Sequence, residues 1–72
     1  MKKYSISERK CFLEGFETGR EDYFWCRGGA SKKLECIRTR RELLELCKRR
    51  KDLYGISFQK GYLAYFAKKG VK

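Results

Sequence analysis

Apolar and small residues in the first third of the chain recur at intervals of one, three and four: Cys11, Phe12, Gly15, Phe16, Gly19, Tyr23 and Cys26. At about 100° per residue this spacing gathers them on one stripe of an α-helix, and Glu14, Glu17 and Glu21 fall on the opposite side. Ser5 with Glu8 three residues later has the form of a capping box, and Ser7 is a second candidate cap. Phe24 and Trp25 lie off the stripe, so the helix, over roughly 7–25, is predicted to end near them before Gly28-Gly29 turns the chain.

Ser31 is placed to cap a second helix over roughly 32–54, with Gly55 as a left-handed stop and Ile56 as the apolar residue that often follows one. Its apolar arc is Cys36, Leu43, Cys47 and Tyr54, flanked by Ile37, Leu44, Leu46 and Leu53. Ser57 then caps a third helix over roughly 58–69, where Phe58, Gly61, Tyr62, Tyr65 and Phe66 make a narrow stripe before Gly70 closes it and Val71 follows. No segment sustains the alternation of a strand. The pattern predicts an all-α fold: a small three-helix domain comprising the single unit 1–72, with antiparallel neighbours wherever the loops are short.

The first and third helices share a motif, Phe12-x-x-Gly15-Phe16-x-x-Gly19 and Phe58-x-x-Gly61-Tyr62-x-x-Tyr65. Glycine inside a helix costs about 0.5–1 kcal/mol relative to alanine, so glycines on apolar stripes imply that a neighbouring backbone or a flat ring comes close there. On the packing reading, these stripes face one another and the second helix. On the functional reading, Tyr62, Tyr65 or Trp25 is exposed to stack on nucleic-acid bases, worth about 1–3 kcal/mol per base. Trp25 is the stronger candidate because it lies off the stripe.

Length and composition narrow the function. A chain of 72 residues is near the size at which one apolar core supplies only a few kcal/mol, which argues against a deep active-site cleft and leaves a homodimer open. Eleven aromatic residues partly offset the small size. The chain has no Pro and no long Ser/Gly-rich stretch, so neither a linker nor a disordered tail is indicated. Met1-Lys2-Lys3 leads into polar and charged residues and no apolar run approaches spanning length, which predicts a cytoplasmic protein that does not insert in a membrane.

Cys11, Cys26, Cys36 and Cys47 lie 15, 10 and 11 residues apart, without close pairs, and the chain has no His. They read first as small apolar side chains in a reducing compartment, with zinc or disulfides as the alternatives. Without His, a nucleophile–base–orienter set has no obvious base, and Gly28-Gly29 lacks the rest of a phosphate-binding loop. The expectation is a non-enzyme with no cofactor and no bound metal.

Charge points toward a partner. The formal net charge is +10, and it is uneven: residues 1–6 carry +2, residues 7–26 carry −2 and residues 27–72 carry +10. Nine of the cations, Lys32, Lys33, Arg38, Arg40, Arg41, Lys48, Arg49, Arg50 and Lys51, belong to the predicted second helix. Arg38, Arg41, Lys48 and Arg49 project opposite the apolar arc together with Glu42, Glu45 and Asp52, as an ordinary solvated face would. Arg40, Arg50 and Lys51 project within or at the border of the arc, so they snorkel, or the helix bends, or they serve an interface. Such a field steers an anionic polymer toward the second helix and toward Lys68, Lys69 and Lys72. A membrane-surface role for this basic amphipathic helix is opposed by Glu35, Glu42, Glu45 and Asp52, which anionic lipid repels.

Gly15-Phe16-x-x-Gly19-Arg20 in a first helix, Cys26 after it, and Lys60-Gly61-Tyr62 in a later helix together resemble the ribosome modulation factor family of small basic bacterial proteins. That family has a Gly-aromatic-x-x-Gly helix and a second helix with a Gly-aromatic pair, and it binds ribosomes, so the resemblance implies ribosomal RNA as partner. It covers about a third of the chain; residues 30–54 form an extra basic helix between the matching parts, and no Pro follows Cys26.

The sequence therefore predicts a small basic binding protein for nucleic acid, with structured RNA or a ribosomal surface favoured. Arg38, Arg40, Arg41, Lys48, Arg49, Arg50 and Lys51 would contact phosphates, Lys32 and Lys33 would extend the patch, and Trp25 would stack. The alternative is an inhibitor or adaptor of the kind phages and mobile elements encode, which binds a host protein complex such as a nucleic-acid-processing machine. Its partner would be an acidic or nucleic-acid-binding protein, and Arg, Tyr and Trp suit such an interface equally well.

Overall fold

A computed structural model describes residues 6–26 and 29–71, which form three helices: α1 (Ile6–Trp25), α2 (Gly29–Arg50) and α3 (Leu53–Lys68). The all-α three-helix architecture read from the sequence is the one observed, and the boundaries shift. α1 starts at Ile6, so of the two candidate caps only Ser5 precedes it, and Ser5, like Gly28, lies outside the described residues. The end of α1 at Trp25 is the predicted one. α2 begins two residues before Ser31, at Gly29, whose φ of 77° is one a Cβ-bearing residue would pay to adopt.

The largest correction is at the α2–α3 junction. Gly55 does not stop α2, and Ser57 does not cap α3. The stop is Lys51, in the left-handed region at φ 56°, and the cap is Asp52, whose carboxylate accepts the Gly55 N–H. The Lys51 N–H reaches the Lys48 carbonyl and the Asp52 N–H the Cys47 carbonyl, the paired bonds of a Schellman ending. Asp is among the strongest N-caps, and its placement directly after the stop joins two helices through two residues. A Cβ at Gly55 would sit 2.6 Å from both the Cys47 Sγ and an Asp52 carboxylate oxygen, two side-chain ends that would have to turn aside. At the far end of α3 the predicted stop is observed. Gly70 has φ 81°, with the Gly70 N–H on the Ala67 carbonyl and the Val71 N–H on the Phe66 carbonyl.

α3 packs against both other helices, which touch each other only marginally. α2 runs antiparallel to it, as the two-residue junction requires. α1 runs parallel to it, because contacts rise together along both chains: Gly15 meets Phe58, and Gly19 meets Tyr62. The glycine stripes do face each other, and the contact is backbone on backbone rather than ring on glycine. A Cβ at Gly15 would overlap the Phe58 carbonyl, one at Gly61 the Phe12 carbonyl, and one at Gly19 would lie 2.9 Å from the Tyr62 carbonyl oxygen. Helices this close exchange Cα–H···O contacts and extensive dispersion, which returns the propensity lost by placing glycine in a helix.

The buried core is Ile37, Tyr62, Tyr65 and Phe66, with Phe16, Tyr23, Cys36, Leu63 and Val71 packed on it. Tyr65 meets Phe16 and Tyr23 edge-on, at centroid distances of 5.1 and 5.9 Å, and Tyr62 stacks on Phe66 at 5.0 Å. α2 contributes only a narrow stripe, Cys36, Ile37, Arg40, Leu44 and Cys47, because it has one neighbour. Leu43, expected in the arc, and Leu46, expected on its flank, are exposed for that reason, and Tyr54, also expected in the arc, is exposed on the first turn of α3.

Among the described residues, Tyr62 is the core ring with a polar tip bound across the helix interface: its hydroxyl donates to the Asp22 carboxylate at 2.6 Å. Burial first, then this bond and the carboxylate charge, push the phenol above its ordinary pKa. A phenol whose pKa is raised on folding stabilises fully below its unfolded value, about 10, and that stability drains as pH rises toward the folded value. Urea midpoints at pH 9, 10 and 11 should show the advantage of the wild type over Tyr62→Phe shrinking by about 1.4 kcal/mol per pH unit above 10. A constant advantage across that range would mean the phenol ionises in the folded protein as freely as in the unfolded chain.

Candidate nucleic-acid interface

The nine predicted cations of the second helix do not form one patch. A 22-residue helix is about 33 Å long, and they divide along it into two ends and a middle. Lys32 and Lys33 stand on its first turns, and Arg38 and Arg41 are exposed at mid-length. Lys48, Arg49 and Arg50 are in its last turn, where cations complement the partial negative charge of the helix end. Lys51 follows as the left-handed stop, so its projection onto a regular helix does not apply. Lys48 lies 3.6 Å from Glu45, an exposed pair of little energetic weight.

Arg40 differs from the rest. Its guanidinium lies over the Tyr62 ring, 4.2 Å from the centroid, and donates to the Gln59 side-chain oxygen at 3.2 Å. Gln59 is the only buried polar residue among those described, and Arg40 satisfies it. The intrusion of Arg40 on the apolar arc is therefore answered by packing: the half-buried residue lies over the Tyr62 ring and holds Gln59. Arg50, by contrast, is exposed.

The opposite end of the molecule gathers aromatics and lysines from all three helices. Phe24 and Trp25, at the end of α1, are 64% and 73% exposed. The Lys33 ammonium lies 4.7 Å from the Tyr23 ring centroid, and that of Lys69 lies 5.9 Å from Phe24, 5.9 Å from Tyr23 and 5.6 Å from Tyr65. Lys68 stands 5.7 Å from Phe16. Cations beside ring faces and edges hold both in place without neutralising the charge, and the outer aromatic surface stays open. Of the predicted stacking residues, Trp25 is thus exposed, while Tyr62 and Tyr65 are core.

Periodicity and charge do not single out Phe24 beside Lys69, half-buried Asp22 beneath the Tyr62 hydroxyl, or buried Gln59 beside Arg40. Asp22 had a signal, since it lies three residues beyond Gly19 on the same helical turn. Lys72 lies outside the described residues. All four cysteines are half-buried and free of disulfides, and among the described residues no three His, Cys, Asp or Glu come together as metal ligands. Among the same residues, no helix is long and apolar enough to cross a membrane. Searches against protein-family models, curated proteins and solved structures found no match to the chain.

Proposed function

We propose that the protein binds nucleic acid, RNA in preference to duplex DNA, through two basic ends joined by α2. The observation that carries this reading is that Phe24, with the Lys69 ammonium 5.9 Å from its ring, and its chain neighbour Trp25 are both exposed at the end of α1. Exposed aromatics of this size have no role in the core, and beside ammonium groups they suit unpaired bases, which RNA loops and bulges offer and a closed duplex withholds. The exposed cations of α2, with Lys68 and Lys69, would then take the phosphates, and the net charge of +10 would draw the polymer in.

The test is a salt titration on a hairpin RNA with an unpaired loop. Phosphate contacts predict that log K falls linearly with log salt, with a slope of about −0.7 to −0.9 per contact. Replacing Arg49 and Arg50 by Ala should flatten that slope by one to two contacts and leave the melting temperature unchanged. Arg40→Met should do the opposite, lowering stability by about 1–2 kcal/mol through the unpaired Gln59 while leaving the slope alone. A salt-independent affinity, or none, would remove the proposal.

A further inference from the structure

At the end of the molecule away from Trp25, the first turns of α1 and α3 and the last turn of α2 enclose a groove of about 570 Å³. Phe12, Leu13, Leu53 and Ile56 form its floor and walls, and Leu13 and Leu53 are 56% and 58% exposed. Arg9, Lys48 and Lys60 stand around it, with Glu8 the one carboxylate. Apolar side chains this open are costly to leave in water and are stabilised when a partner covers them. None of the groove residues belongs to the aromatic end.

We infer that this groove is a docking site for an acidic amphipathic helix of a protein partner. Charge selects the occupant. Three lining cations, of which Lys48 also pairs with Glu45 on α2, against one lining carboxylate match a helix with an apolar stripe at i, i+3, i+4 and i+7 and acidic residues on its flanks, the usual way a groove reads a helix. A second copy of this chain would bring another +10 to the same surface, and like charge opposes that pairing. The site shares only Lys48 with the nucleic-acid reading, and its ligand carries no phosphate.

The probe is a fluorescein-labelled 18-residue helical peptide with Leu and Phe on one stripe and Glu elsewhere, compared with a peptide of the same stripe and Lys in place of Glu. Anisotropy with the full chain should give micromolar binding for the acidic peptide and at least tenfold weaker binding for the basic one. Leu13→Ser and Leu53→Ser each remove apolar floor without adding charge, and each should weaken the acidic peptide about tenfold with an unchanged circular-dichroism spectrum. Lys60→Glu should weaken it further and Arg38→Glu should not, which separates the groove from the general charge of α2. Equal binding of both peptides, or affinity indifferent to Leu13 and Leu53, would overturn the inference. So would sedimentation of the free protein as a dimer that Leu53→Ser dissociates, since a second copy would then fill the groove.

Discussion

Valine at Gly15 or Gly61 is expected to unfold the domain at 25 °C. In an ordinary helix interior, replacing glycine with a Cβ-bearing residue gains up to about 1 kcal/mol of propensity, so the sign of the effect is itself diagnostic. Here the new Cβ lands on backbone: the Phe58 carbonyl at Gly15, the Phe12 carbonyl at Gly61. A side-chain neighbour could rotate away; a carbonyl held in a helix moves only with its helix. Overpacking usually costs 1–3 kcal/mol, and forcing α1 off α3 puts the cost at the upper end or beyond it, against a few kcal/mol available to a domain this small. Far-ultraviolet circular dichroism and thermal melts would read the loss. Gly29→Ala is the control, because a Cβ there meets nothing and only the φ of 77° is penalised, by about 1 kcal/mol. A Gly15→Ala variant that melts higher than the wild type would show that the two helices are not in backbone contact.

The second large effect concerns binding. Replacing Phe24 and Trp25 together by alanine should weaken loop-RNA affinity by roughly 30-fold or more, from about 1–3 kcal/mol per stacked base, with the melting temperature held within about 2 °C. Stability is spared because both rings already face solvent, although Phe24 gives up an edge contact with Tyr23 at a centroid distance of 5.6 Å. The loss should persist at high salt, since stacking is less screened than phosphate contact, and this distinguishes it from the loss caused by Arg49 and Arg50. Unchanged affinity in the double variant would remove the aromatic end from the interface and leave a purely electrostatic surface.

Periodicity made the three helices legible, because each presents its apolar residues at helical spacing and no stretch competes as a strand. Glycine placement made the α1–α3 approach legible as well: Gly15, Gly19 and Gly61 pay a propensity cost that only close contact explains. The α2–α3 junction was not legible, because two caps of similar chemistry, Asp52 and Ser57, lie near a glycine, Gly55, that does not take the left-handed turn. A lysine in the left-handed stop position gives no compositional hint. The site was half legible. Charge identified the cations, yet sequence cannot say that one neighbour, not two, covers α2, and that fact decides why Arg40 is consumed by Tyr62 and Gln59 while Leu43 and Leu46 face water.

Two helices that lie side by side and point the same way cannot be joined by a hairpin loop; the chain must travel back the length of the pair before starting the second. With α1 at 20 residues and α2 at 22, the return path is matched in length to the helix it retraces. α2 is thus a strut whose span is fixed by the interface it never enters, and eight of the protein's 19 Lys and Arg residues are mounted on it. Its outer face can change residue by residue at little cost to the fold, whereas a deletion of even one turn would pull α1 and α3 out of the register that their glycines demand. Surface chemistry and chain length in this protein are therefore under separate constraints, carried by the same segment.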